Sequence, residues 1–343
     1  MRRLSTAVVA SAVAVIAVAG CSAGAETGSV SENEAASEGS SRLLAALSRM
    51  APIEDAPLQI YYGDGLTLTE MLPDGEPITE PPGYGMLVGF GAASLAGIGI
   101  ENTDLGIDLD GAGYAITVGQ PPHQYSLISG GQDTETLTST LADQGWVEEN
   151  GEFVSPSDFD TVDSDYARYT LPLARVTVSG SDVVFGSADA DLSMVDGSES
   201  LADDERVSTV AQCLGDVVTA VLETVELSET TPLVGLGVRT PEGSQQRPQV
   251  VVCVSWDDAE EASAYAERAT VDLTDGTSTA GRPYSDLFDP AEAVVDGAVA
   301  SWETETDMAM TIFTAWNQGD IPGMVRTCAG LPPQRYAEVE DRC

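Results

Sequence analysis

Short apolar runs separated by two-residue turn pairs constrain this chain more than any other feature. Asp296-Gly297 sits between Ala293-Val294-Val295 and Ala298-Val299-Ala300. The central residues of a tight hairpin turn need positive φ, which Asn, Asp and Gly tolerate. The same pattern places Asn150-Gly151 between Trp146-Val147 and Phe153-Val154. It also places Gly180-Ser181 between Arg175-Val176-Thr177-Val178 and Val183-Val184-Phe185. Strands joined by such turns are antiparallel neighbours.

Helix signals fall between these hairpins. Leu43, Leu44, Leu47 and Met50 fit a short amphipathic helix ended by Pro52. Tyr114–Val118 and Tyr125–Ile128 read as strands around a Gln120-Pro121-Pro122 turn. Asp133 then caps a helix whose Leu137 and Leu141 share one face, and Gly145 stops it. Ser187 is expected to cap another helix, Ala188 to Met194. Farther on, Leu233–Val238 and Val250–Val254 read as strands. Asp257 or Asp258 caps a helix carrying Ala262, Tyr265 and Ala266. A last helix is expected from about Asp307 to Trp316, ending near Gly319. Strand, Asp-capped helix, hairpin and helix thus occur twice. The expected fold is α+β with two similar halves, 43–199 and 200–343. Each would be an antiparallel sheet with hairpins and with helices packed on one face.

The N-terminus carries a different signal. Arg2 and Arg3 precede a mostly apolar run from Ala7 to Val18, the layout of an export signal. The run is shorter than the ~20 apolar residues a membrane-spanning helix needs. Val18-Ala19-Gly20-Cys21 resembles the lipobox of bacterial lipoproteins. That resemblance implies a signal peptide over 1–20, diacylglycerol on the Cys21 sulfur with palmitate-type chains, and residence outside the cytoplasmic membrane. Residues 22–42 are mostly Ser, Glu, Ala and Gly, a composition expected to form a flexible tether after the lipidated cysteine.

Charge narrows the partners. The chain of 343 residues has 14 basic residues, all arginine, against 56 Asp and Glu, for a formal charge of −42. Loss of Arg2 and Arg3 with the signal peptide makes it −44. Nucleic-acid binding needs clustered positive charge, which is missing. The same lack removes attraction to anionic headgroups, so the membrane is engaged through Cys21 alone. Five cysteines are present, and Cys21 leaves Cys213, Cys253, Cys328 and Cys343. An even remainder in an exported chain reads as two disulfides. Three pairings exist, of which Cys213–Cys253 and Cys328–Cys343 are favoured. Zinc would want C-x-x-C spacing or a neighbouring histidine, and neither is found.

Catalytic constellations are scarce. His123 is the only histidine and follows two prolines, and there is no lysine. A Ser-Lys system has no base, and a Ser-His-Asp or Cys-His system would rest on His123 alone, which reads as a surface-turn residue and has no G-x-S-x-G elbow to serve. Gly89-Phe90-Gly91-Ala92-Ala93-Ser94 begins like a phosphate loop but fails the full glycine spacing. Asp104, Asp108 and Asp110, and Asp158, Asp160, Asp163 and Asp165, form acidic clusters that could hold Ca²⁺. The twelve-residue calcium pattern fails, and solvated loops are the better reading. Trp146, Trp256, Trp302 and Trp316 read as core. No catalytic residue, metal ligand or cofactor is assigned.

The segment Gly106-Ile107-Asp108-Leu109, Val118-Gly119-Gln120-Pro121-Pro122, Ser129-Gly130-Gly131-Gln132-Asp133 and Gly145-Trp146 resembles putative lipoproteins of high-GC Gram-positive bacteria. The resemblance implies fold and location and carries over no catalytic residue. The expectation is a non-catalytic, membrane-anchored binding or accessory protein of the cell envelope, with another envelope protein as partner. The alternative is a carboxylate-dependent hydrolase of envelope glycans or exported solutes. A cleft holding two carboxyls ~5–10 Å apart would distinguish them.

Overall fold

The computed structural model describes residues 41–54, 56–72, 82–96, 105–156, 166–227, 230–240 and 247–326. The chain begins α1 (Arg42–Leu47), β1 (Gln59–Gly63), α2 (Gly65–Met71), α3 (Ala93–Ala96), β2 (Tyr114–Val118), β3 (Tyr125–Ser129) and α4 (Thr134–Asp143). β4 (Val147–Glu149), β5 (Glu152–Val154), β6 (Arg175–Ser179) and β7 (Asp182–Gly186) follow. Then come α5 (Glu205–Leu214), β8 (Val217–Thr224), β9 (Leu233–Arg239), β10 (Gln249–Ser255) and α6 (Ala259–Asp275). The described part closes with β11 (Val294–Asp296), β12 (Val299–Glu305), α7 (Thr311–Gln318) and a small hairpin of β13 (Asp320–Ile321) and β14 (Met324–Val325).

Aspartates begin most of the longer helices, which uses part of the acidic excess. Asp64, Asp133, Asp204 and Asp258 each accept a hydrogen bond from a first-turn backbone N–H. A carboxylate there satisfies an otherwise orphan donor and opposes the positive end of the helix dipole.

The α+β class holds, but the two expected sheets are one. Twelve antiparallel strands run in the order β11-β12-β10-β9-β8-β1-β2-β3-β7-β6-β5-β4. Outward from β1, a three-strand meander reaches β3, α4 leads to the far edge, and β4 to β7 fold back onto β3. Outward from β8, β9 and β10 follow, α6 leads to the opposite edge, and β12 returns onto β10. The two series join where β1 pairs with β8, Tyr61 opposite Val221 and Ile60 opposite Leu222. That pairing removes two edges that separate sheets would expose.

Helices cover both faces of this sheet, not one. Val250, Val252 and Val254 of β10 pack in the core with Tyr265 and Ala269 of α6 and Phe313 and Trp316 of α7. Farther along the same face, Ala115, Ile128 and Phe185 pack with Leu137 and Leu141 of α4. The reverse side of β10, Val251 and Cys253, packs with Val207, Val210 and Leu214 of α5, beside Leu43 and Leu47 of α1. Burial on both sides explains why β8 to β10 read as nearly continuous apolar runs without alternation. The Cys213–Cys253 disulfide ties α5 to β10 across a sequence separation of 40.

The hairpins fall where the turn pairs place them, β4–β5, β6–β7 and β11–β12. The expected helix over 188–194 does not form; only one 3₁₀ turn, Leu192–Met194, is present. Ser187 Oγ donates to the carbonyls of Pro122 and Gln124. Asp191 accepts from Ser193 N at 3.0 Å and from Ser193 Oγ at 2.6 Å. Short polar side chains here bond the nearby chain and compete with helical geometry. α7 starts at Thr311, not Asp307, because Thr311 Oγ1 donates to Met308 O at 2.7 Å and holds the preceding residues in a turn.

Candidate functional site

Among the described residues, one side of the sheet is incompletely covered near its centre. Phe90–Ala92 forms a single turn that lies directly on β1 and β2. The fit demands glycine at position 91: a Cβ there would stand 2.0 Å from Ala115 O and 2.6 Å from Gly63 N. Thr117 Oγ1 fastens the turn by donating to Gly91 O at 2.7 Å. Phe90 also packs edge-on against Tyr61 and lies 4.6 Å, centroid to centroid, from Phe313. The covering ends before the other end of β1, and a cleft of about 410 Å³ opens there.

Distant parts of the chain line the cleft. Gln59 and Tyr61 come from β1, and Gly119, Gln120, Pro121 and Gln124 from the β2–β3 turn. Ser94 enters from α3 and Arg326 from the residue after β14. The turn is held against β1 by Gly119 N, which donates to Gln59 O at 2.8 Å. It contains a cis Pro121–Pro122 peptide. Gln59 is 6% exposed. Among the described residues, the side chains of Gln59, Tyr61, Ser94, Gln120 and Gln124 make no hydrogen bond. These donors and acceptors line an open cleft and are available to solvent or to a ligand.

Arg326 is tied into its neighbours. Its Nη2 donates to Glu223 Oε1 at 2.8 Å. Trp316 Nε1 donates to Glu223 Oε2, also at 2.8 Å. The guanidinium carbon lies 5.5 Å from the Trp316 ring centroid, a cation–π distance. Burial raises the Tyr61 phenol above its ordinary pKa, and the Glu223 carboxylate raises it further, against a lowering by Arg326. Tyr61 therefore stays a neutral hydroxyl at physiological pH. Among the described residues, the eight that line the cleft include no Asp or Glu, in a chain with 56 of them.

The candidates read from sequence are dispersed. Cys213 and Cys253 form the favoured disulfide. Cys21, Cys328 and Cys343 lie outside the described residues, as do Asp104, Asp158, Asp160, Asp163 and Asp165. Asp108 folds back on its own turn, its Oδ1 accepting from Asp110 N and Gly111 N at 3.0 Å. Burial, then the Asp108 charge, raises the Asp110 carboxyl. Among the described residues, no three His, Cys, Asp or Glu side chains group as metal ligands. His123 is exposed in the β2–β3 turn. The four tryptophans are buried. Ser94, at the end of the Gly89–Ser94 run that fails the phosphate-loop spacing, lines the cleft. Gln59, Tyr61, Gln124 and Arg326 share no motif or spacing in the sequence and come together only through folding.

Among the described residues, no helix is long and apolar enough to cross a membrane. Comparison with protein families, curated proteins and solved structures finds no match to this chain.

Proposed function

We propose that the chain is a lipid-anchored extracytoplasmic lipoprotein that binds and does not catalyse, presenting the cleft beside Gln59 and Arg326 to a component of the cell envelope. The location rests on Val18-Ala19-Gly20-Cys21 after a charged and then apolar start. Each buried acyl methylene contributes ~0.8 kcal/mol, so two or more chains on Cys21 hold a protein durably where one would not. A disulfide within the folded part is in keeping with an oxidising exterior. The observation that carries the binding role is the cleft wall of five neutral hydrogen-bonding side chains with no partner among the described residues. A carboxylate hydrolase would place paired acids against its substrate, and the described lining residues include none. We further read the repeated strand–helix–hairpin connectivity on either side of the β1–β8 seam as an internal duplication.

Replacing Cys21 with Ala tests the anchor. The variant is expected to leave the membrane fraction of cells and appear in the soluble exported fraction. Membrane association that survives the substitution overturns the reading.

A further inference from the structure

We infer that the cleft takes a neutral polyhydroxyl ligand, carbohydrate by chemical class. The inference rests on the binding role proposed for this cleft and is reached by eliminating ligands its walls cannot serve. A metal cation or basic ligand wants carboxylates, and none of the described lining residues carries one. An anion wants free positive charge, but the one cation among the described lining residues, Arg326, is paired with the Glu223 carboxylate at 2.8 Å. It also sits in a chain of formal charge −42. An apolar ligand wants an aliphatic wall, and the lining supplies little beyond Pro121 and the Tyr61 ring. A peptide captured by strand addition wants a sheet edge. β1 is interior, paired on one side with β8 and on the other with β2.

What remains is a set of amides and hydroxyls. Gln59, Gln120 and Gln124 each offer two N–H donors and a carbonyl acceptor, and Ser94 and Tyr61 each offer a hydroxyl. A sugar hydroxyl both donates and accepts, so adjacent hydroxyls match a side-chain amide atom for atom. The partly buried Tyr61 ring gives the face against which a sugar ring packs. Gln59 is the anchor of the set. It lines the cleft, is 6% exposed as a residue, and its side chain has no hydrogen-bond partner among the described residues. A ligand that meets a largely enclosed amide of this kind replaces water there with a bond shielded from solvent. The volume of about 410 Å³ falls at the small end of the ~300–1,000 Å³ of ligand sites.

The test is saturation-transfer NMR on the full mature lipoprotein in a sugar-free zwitterionic detergent. Maltose and chitobiose are the probes, with triglycine and methyl phosphate, whose methyl protons report saturation, as competing classes. Transfer to the ring protons of at least one disaccharide is expected. Its affinity should fall about tenfold in Gln59→Ala and in Gln124→Ala, the loss of one well-made hydrogen bond to a buried group. Gln124 lies in the turn, so its variant keeps the fold even if Gln59→Ala does not, and circular dichroism checks both. Triglycine or methyl phosphate saturating in place of both disaccharides, with the same dependence on Gln124, overturns the carbohydrate class and leaves the binding role standing. Disaccharide binding unchanged in both folded variants overturns this cleft as the sugar site. No saturation by any of the four probes overturns the ligand class and removes the support the cleft lends to a binding role.

Discussion

Breaking the Cys213–Cys253 bond is expected to cost the folded state about 4 kcal/mol. The two cysteines are 40 residues apart in sequence. In the chain-entropy account, a cross-link closing a loop of that length restricts the unfolded chain by about 4 kcal/mol at 25 °C. The substitution itself adds little. Alanine for cysteine removes one sulfur from each side chain, and Cys253 alone is fully buried. The assay is equilibrium urea unfolding at neutral pH, followed by circular dichroism, of the Cys213→Ala/Cys253→Ala protein beside the parent. With a denaturant slope of about 3 kcal/mol/M for a chain of this size, the midpoint should fall by roughly 1.3 M. Cys213→Ala alone keeps the buried Cys253 and should lose nearly as much, which separates the cross-link from the packing. A double variant whose midpoint stays within about 0.3 M of the parent, at unchanged slope, would refute the reasoning.

Gly91→Ala should lower the thermal midpoint by about 3–8 °C, because a Cβ meeting Ala115 O and the Gly63 backbone costs about 1–3 kcal/mol of overpacking. An unchanged midpoint would show that this contact is not under compression. Alkaline stability should follow the buried tyrosines. Burial raises Tyr62, Tyr125 and Tyr265, and pushes Tyr84 up to about 12, from an ordinary phenol value of 10.0. Above the unfolded value the unfolded chain releases protons that the folded chain retains. The tyrosine contribution is therefore complete below about pH 10 and is lost as pH rises through the folded values. A urea midpoint flat from about pH 9 through pH 12 would contradict those burials.

Features encoded within a few residues were readable before the fold. Asp133 caps α4 because its carboxylate meets the Thr136 N–H three residues on. Asp296-Gly297 turns β11 into β12 through its own backbone. The β1–β8 seam was not readable in this way. Gln59–Gly63 mixes glutamine, tyrosine and glycine, and its partner lies about 160 residues away. No local pattern states that two sheets will merge when each has a strand edge to hide. Residues 187–194 misled because Ser187 looks like a helix cap in sequence, whereas its hydroxyl serves the Pro122 and Gln124 carbonyls from a distant turn. The cleft was illegible for the same reason. Gln59, Gln124 and Arg326 are unremarkable in sequence, and they line one cleft only because the Phe90–Ala92 turn, seated on β1 through Gly91, stops short of Gln59.

Mass spectrometry of the N-terminal peptide from membrane-isolated protein tests the anchored state most directly. The account predicts a peptide beginning at Cys21 and carrying diacylglycerol on its sulfur, with residues 1–20 removed. A peptide retaining Met1, or a processed terminus with a free Cys21 thiol, would contradict it.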